Sequence, residues 1–480
     1  MQINLKNYIG GKFIESIDSE KMENLNPATG EIISTIPLSK KDDVELAVTA
    51  AINAQKKWSN LSIEERASYL EKIADELEAN VAQIAELESK DTGKPITLAR
   101  NVDATRSVAN FRFFAQAIKT LPAESHEMPD AINYTLRKPI GTVGLITPWN
   151  LPLYLLSWKV APALIMGNTI VAKPSELTPM TADYLAKTID KIGLPDGVFN
   201  LVHGVGKDAG QAIVENPSIG AISFTGGTET GKQVAKIAAP LFKKISLELG
   251  GKNSSIIFSD CDFEKTIKGV VKAAFLNNGQ VCLAGSRILV EESIFGKFVE
   301  LFIHTVSKMK IGDPLHPDTE LGSLVSLQHL NKIQNYIKLG IEEGGIILHG
   351  GKIPKMSDKL KHGAFIEPTV IDKTDINSRV STEEIFGPIV TLHSFKDEED
   401  AISIANNVNY GLAASVWSQD IEKAERISSK LDTGMVWINT WLHRDLRVPF
   451  GGVKSSGVGR EGGRYSLEFF SEAQNICIKY

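Results

Sequence analysis

The chain has 480 residues, a formal net charge of −6, and 42% hydrophobic and 23% charged residues. At about 150 residues per unit this length exceeds a single core and predicts about three structural units. The negative balance excludes nucleic acid as a bulk partner, which demands a basic face. Three cysteines, Cys261, Cys282 and Cys477, fit reduced thiols rather than a disulfide framework.

In chain order, the segment MQINLKNYIGGKF has neither an apolar core of signal-peptide type nor an Arg-rich amphipathic pattern,. SIEERASYLEKIADELEANVAQIAELESKDTGKP predicts one long helix. Ser62 and Glu65 form a capping box, and Leu70, Ile73, Leu77, Val81, Ile84 and Leu87 recur at helical spacing,. Gly93 and Pro95 end it,. NYTLRKPIG near residue 135 and the C-terminal NICIKY read as edge strands. The longest apolar stretch, LPLYLLSWKVAPALIMG, is interrupted by Lys159 and Pro162 and does not span a membrane,. The expectation is a cytoplasmic protein with no membrane partner.

From residue 141 the texture changes. GTVGLIT, NTIVAKPS, VFNLVHG and AISFTG are short β-branched runs separated by helical patterns. That alternation predicts βαβ units and a parallel sheet. A second alternating stretch runs from SLELGGKNSSIIFSD to GMVWINT. The nine histidines never fall at metal-ligand spacing, so no metal site is expected,.

Several loops carry chemistry. TPWNLPL places Asn150 at a strand-to-helix junction, where a side-chain amide can donate to a developing oxyanion,. VAKPSELTP puts Lys173 and Glu176 after a buried strand, at the end where open α/β sheets bind ligands and within reach of ribose hydroxyls,. AISFTGGTETGKQVAKI is a strand, a glycine turn and a helix start, which suits a phosphate,. Its Gly226, Gly231 and Lys232 imitate a P-loop, but Gln233 stands where magnesium needs Ser or Thr,. SLELGGKNS sets Glu248 between apolar neighbours, where desolvation raises a carboxylate toward a base's working range,. FLNNGQVCLAGSR sets Cys282 in a loop, the position a nucleophilic thiol needs,. Singly, each also reads as a core thiol, a paired carboxylate or a helix cap.

Together, FTGGTETG, LELGGKN, NNGQVCLAGSR, TPWNLPL, VAKPSE, EEIFGP and PFGGVKSSGVGREGG resemble the NAD(P)-dependent aldehyde dehydrogenase superfamily, in one unbroken order over essentially the whole chain. The resemblance implies an α/β fold with a Rossmann-like cofactor domain (1–119 and 140–247), an α/β catalytic domain (248–447) and a β-strand oligomerisation arm (120–139 and 465–480). It implies NAD as cofactor and a homodimer or homotetramer. Cys282 would attack the aldehyde to give a thiohemiacetal and then a thioester, Asn150 would hold the oxyanion, and Glu248 would activate the hydrolytic water. Trp149, Lys173, Ser175, Glu176, Gly226, Gly227, Gly231, Leu249, Glu384 and Phe386 match cofactor-contact positions. Gly227 departs from the many relatives that carry Ser.

NTWLHRDLRVPFGG is similar to the muconic semialdehyde dehydrogenases of the 2-aminomuconate and 2-hydroxymuconate types. A guanidinium offers parallel donors to a carboxylate. The resemblance therefore implies a carboxylated semialdehyde, with Arg106, Arg444 and Phe450 at substrate positions and Arg447 in reserve. The bland reading pairs Arg444 with Asp445. Other aldehydes (betaine, succinic or aliphatic) are the alternative; outside the class stand a thiol hydrolase and a P-loop nucleotidase.

Overall fold

A computed structural model of the chain describes residues 3–122 and 124–480; Met1 and Gln2 of the expected cofactor segment and Ala123 of the expected arm lie outside the described residues. Two large sheets organise the chain. The first has eight strands, in the order Gly457–Val458, Lys244–Glu248, Ile219–Thr225, Thr142–Ile146, Thr169–Lys173, Phe199–Leu201, Asn7–Ile9 and Lys12–Ile14. Its middle five strands are parallel. Thr142–Ile146 and Thr169–Lys173 are buried throughout. Strands covered on both faces take continuous apolar runs rather than alternation, which is why GTVGLIT and TIVAK read as they do.

Chain order runs outward from Thr142–Ile146 to Phe199–Leu201, then jumps back to Ile219–Thr225 on the other side. That reversal is a topological switch point, and the crevice beyond its carboxyl ends is where open α/β sheets bind ligands. The second sheet has seven strands, in the order Ile346–His349, Thr369–Asp372, Ile389–Phe395, Arg287–Glu291, Ser254–Ile257, Ala413–Trp417 and Met435–Ile438, parallel except at the Ile346–His349 edge.

The expected long helix is two. Ser62 accepts from Glu65 N–H and Glu65 accepts from Ser62 N–H, as the capping box requires. The first helix, Ile63–Ala79, stops at Asn80, whose φ of −122° and ψ of 18° leave the helical region and whose amide bonds back to Glu76 O. The second, Val81–Thr92, ends at Gly93 in the left-handed conformation. A Cβ on Gly93 would lie 2.0 Å from Ser323 Oγ, so only glycine fits this corner. The apolar period continues across the break because both helices bury their stripe in one core, with Leu70, Ile73, Leu77 and Ile84 packed near Trp58, Phe111 and Trp158.

NYTLRKPIG is not an edge. Ala131–Pro139 is the central strand of a three-stranded antiparallel sheet flanked by Ser471–Lys479 and Ser125–Met128. Read singly, an exposed strand gives no sign of the partner that covers its hydrogen bonds; here that partner is 332 to 348 residues away, with Ser471 opposite Pro139 and Lys479 opposite Ala131. Two boundaries differ from the expected ones, at Glu248 and at residue 465. Glu248 ends a strand of the first sheet rather than starting the second unit. Gly457–Val458 returns to the first sheet beside it. Helix Gly463–Phe469 packs in the first core through Leu467, so the C-terminal strand begins only at Ser471. No helix among the described residues is long and apolar enough to cross a membrane.

Candidate active site

The carboxyl ends of the first sheet meet the amino ends of the second. Glu248 ends one strand, Gly250 and Gly251 cross over, and Ser254 opens the next. Cys282 lies on the loop that leads into Arg287–Glu291. That loop begins with Asn277, Asn278 and Gly279, all at positive φ (53°, 55° and 67°). Asparagine tolerates this region better than other side chains because its short amide bonds locally. Asn278 Nδ2 donates to Gly322 O at 2.8 Å, and Asn277 Nδ2 donates to Asn150 O at 3.2 Å and Gln280 O at 3.3 Å. The tight reversal explains a cysteine outside any strand. Asn253 then fixes the loop from the other side, donating to Cys282 O at 2.8 Å and Ala284 O at 3.0 Å while accepting from Ala413 N–H.

Asn150 is brought to the same loop. Its Nδ2 donates to Gln280 O at 3.0 Å, and its second amide hydrogen has no partner among the described residues,. Burial pushes the Cys282 thiol up to about 12; Glu248 and Glu384 add to this, and Arg444 opposes it. Glu248 is 4% exposed, and neither of its carboxyl oxygens has a hydrogen-bond partner among the described residues. Burial raises it well above the usual carboxyl range and Glu461 raises it further, while Lys159, Arg444 and Arg460 pull it down. Lys159 and Glu461 did not stand out in the sequence. Lys159 Nζ donates to Glu461 Oε1 at 2.6 Å and Ser223 Oγ at 2.8 Å. A lysine inside the apolar LYLLSWKVAPAL run was the available signal, since a buried ammonium requires a buried acceptor.

A cavity of about 710 Å³ opens onto the thiol, lined by Cys282, Tyr154, Arg106, Leu442, Arg444 and Phe450. The Arg444 guanidinium carbon lies 4.6 Å from the Trp158 ring centroid and 4.1 Å from that of Phe450. Nη1 donates to Tyr154 Oη, but Nε and Nη2 are buried with no partner among the described residues. It does not pair with Asp445. That carboxylate takes a bidentate contact from Arg447, which is exposed and outside the cavity lining.

Most of the remaining expected positions line the carboxyl edge of the first sheet. Lys173 and Glu176 form an ion pair at 2.9 Å, with Ser175 between them. Gly227 precedes helix Thr228–Ala238 with no side chain capping it, and a Cβ there would meet nothing within 4 Å. A Cβ on Gly231 would lie 2.4 Å from Leu249 Cδ2, and one on Gly226 would lie 2.5 Å from the Phe224 ring. The buried hydroxyls of Thr147 and Thr225, at the ends of adjacent strands, have no partner among the described residues. Open space at a helix start, orphaned hydroxyls and a carboxylate beyond them fit a dinucleotide. Glu384 accepts from Gly251 N–H at 2.9 Å. Phe386, at φ 63°, meets Trp149 edge to face at 5.2 Å, and His329 Nε2 lies 2.7 Å from Phe386 O. Lys232 pairs with Glu229 on the surface.

Residues 13–476 match the model of the aldehyde dehydrogenase family. A 2-aminomuconic semialdehyde dehydrogenase from Mus musculus is 46% identical, over 99% of this chain and 98% of its own length. A 2-hydroxymuconic semialdehyde dehydrogenase from Pseudomonas sp. (strain CF600) is 44% identical over 99% of both. A crystal structure of betaine aldehyde dehydrogenase from Staphylococcus aureus in complex with NAD+ superposes with a TM-score of 0.96 at 40% identity, covering 99% of this chain and 94% of that one. With the thiol, amide and carboxyl gathered at one sheet junction, and family likeness running from end to end, the chain belongs to the aldehyde dehydrogenase family.

Proposed function

We propose that this aldehyde dehydrogenase oxidises an aldehyde bearing a remote carboxylate, a semialdehyde of the 2-aminomuconate or 2-hydroxymuconate type, with NAD as acceptor. The observation that carries the reading is Arg444. It is clamped between two aromatic rings, and its two unpartnered nitrogens, Nε and Nη2, are buried beside the thiol cavity. Orphaned buried donors of this kind are complementary to an anion that arrives with the substrate. Arg106 on the same cavity is the second candidate donor.

In this reading the Cys282 thiol gives up its proton to solvent in the cavity as Sγ attacks the carbonyl carbon and forms the C–S bond. The Asn150 amide and the Cys282 backbone N–H donate to the oxyanion that develops. The carboxyl edge of the first sheet would hold NAD, whose nicotinamide would supply the oxidation as the hydride acceptor for that carbon. Glu248, its proton affinity raised by burial, takes a proton from the water that attacks the resulting thioester; the C–S bond breaks and the acid departs. Lys173, Ser175, Glu176, Gly226, Gly227, Gly231, Leu249, Trp149, Glu384 and Phe386 are the residues we assign to NAD. The two large sheets would be the cofactor and catalytic units, and the three-stranded sheet would join copies of the chain.

The test compares one carboxylated semialdehyde with one neutral aldehyde of similar length. Removing a buried partner of a charged pair costs about 2–4 kcal/mol. Arg444→Ala should therefore lower kcat/KM for the acidic substrate about 30- to 1000-fold and barely change it for the neutral one. Arg447→Ala should alter neither. Equal loss on both substrates in Arg444→Ala would defeat the carboxylate reading.

A further inference from the structure

Against the Asn150 backbone carbonyl lies a charge cluster that the steps above do not use. Lys94 follows the Gly93 corner, and its side chain is wholly buried. Its Nζ donates to Asp103 Oδ2 at 2.8 Å and to Asn150 O at 2.9 Å, and lies 3.7 Å from Glu88 Oε1. Both Glu88 oxygens lack a hydrogen-bond partner among the described residues. Burial first, and Asp103 second, raise the Glu88 carboxyl well above its usual range.

A buried ion pair is a poor source of net stability, because desolvating both charges offsets most of their attraction. What it does supply is geometry. Asp103 belongs to a π-helical turn, Ala99–Ala104, whose Asn101 and Val102 line the thiol cavity. The helix Thr105–Ala117 that follows carries Arg106. The other end of the link is the Asn150 carbonyl, which also accepts from Asn277 of the Cys282 loop. One ammonium thus ties the cavity wall to the backbone of the amide beside the thiol. We infer that Lys94 is a positioning residue that holds the Asn150 amide on the oxyanion through the Asn150 backbone, with Asp103 setting where the ammonium stands. This rests on the reading of Asn150 as an oxyanion donor.

The test is a double-mutant cycle on the full-length enzyme, read as the rate of the first-turnover NADH burst. Lys94→Met should slow the burst about 10- to 100-fold, at or below the loss from removing an oxyanion donor outright. The KM for NAD should stay within about twofold of wild type, since nothing on the cofactor edge is disturbed. In an Asn150→Ala background Lys94→Met should cost almost nothing more, because residues that act as one unit are non-additive. Alkylation of Cys282 by iodoacetamide builds no oxyanion, so its rate in Lys94→Met should match wild type. If the single variant does not fold, Lys94→Met/Asp103→Asn removes both members of the hydrogen-bonded pair and carries the same test,. A full additional loss in the Asn150→Ala background, or alkylation that slows in step with the burst, would overturn the role of Lys94 alone. An unchanged burst in Asn150→Ala by itself would remove the oxyanion reading and the inference together.

Discussion

Two buried lysine clusters flank the thiol, and they are built alike. Lys94 pairs with Asp103 and leaves Glu88 without a hydrogen bond; Lys159 pairs with Glu461 and leaves Glu248 without one. Both orphaned carboxyls are raised, each by burial first and by its neighbouring carboxylate second. What differs is the surroundings. Glu248 feels Arg444 and Arg460 and acts on the Cys282 thiol, whereas the charges acting on Glu88 are Asp103 and Lys94. A raised proton affinity therefore does not by itself mark a base. Adjacency to the reacting group does.

The contrast breaks most completely at the thiol. Cys282→Ala should abolish aldehyde oxidation while NAD binding, measured by calorimetry, stays near wild type. Cys261 is buried away from the cavity lining and Cys477 is in the terminal strand, so neither replaces it. Turnover above about a tenth of wild type would defeat the thiol mechanism.

Exchanging the two orphaned carboxyls sharpens the contrast. Glu248→Gln should keep the NADH burst but lower steady-state turnover by about 10²-fold or more. Glu88→Gln should leave both within about twofold, because Glu88 touches nothing that reacts. A base must be ionised, so wild-type turnover should rise with pH as the raised Glu248 carboxyl loses its proton,. That rise should vanish in Glu248→Gln and persist in Glu88→Gln.

The cofactor edge should give a smaller effect. Glu176 is part-exposed and already paired with Lys173, so it opposes a 2′-phosphate at moderate strength. Glu176→Ala should narrow the NAD-over-NADP ratio of kcat/KM by about tenfold, the scale of one unfavourable charge contact. An unchanged ratio would take Glu176 out of the ribose site.

The gentlest test reads stability. Asp91 lies on the same helix as Glu88, and burial raises its carboxyl to about 7 despite hydrogen bonds from Asn24 and the Met180 N–H. The folded chain holds this proton more tightly than the unfolded chain does. Its contribution is therefore complete below about pH 4, the unfolded carboxyl range, and is lost as pH rises through about 7. Asp91→Asn should flatten the fall in Tm across that window; an unchanged slope would place the titration elsewhere.

What was legible in the sequence was local. The capping box at Ser62, the parallel-sheet runs after residue 141 and the loop position of Cys282 each depend on neighbours within a few residues. What was not legible was pairing at a distance. Lys159 meets Glu461 across 302 residues, Arg444 meets Tyr154 across 290, and Lys94 meets Asn150 across 56. In the sequence Lys159 is an interruption in an apolar run, and Lys94 stands unremarked between the Gly93 and Pro95 that end a helix. Arg444 and Arg447 are equivalent by composition and three residues apart, yet one is sandwiched between rings and the other clasps Asp445 at the surface. Only the path of the backbone separates them.

The left-handed turn ahead of Cys282 also bears on how the protein ages. Asn-Gly is the dipeptide whose side-chain amide most readily cyclises onto the next backbone nitrogen, and asparagine is among the thermolabile residues. Asn278–Gly279 is such a pair, and folding buries it and ties Nδ2 to Gly322 O. The fold thus shields a lesion that the open chain invites. Each thermal excursion that frees the turn puts at risk a lasting carboxylate four residues from the thiol, a chemical scar that refolding cannot repair. Peptide mass analysis of heat-cycled protein should find deamidation at Asn278 growing with the number of unfolding events rather than with time spent folded.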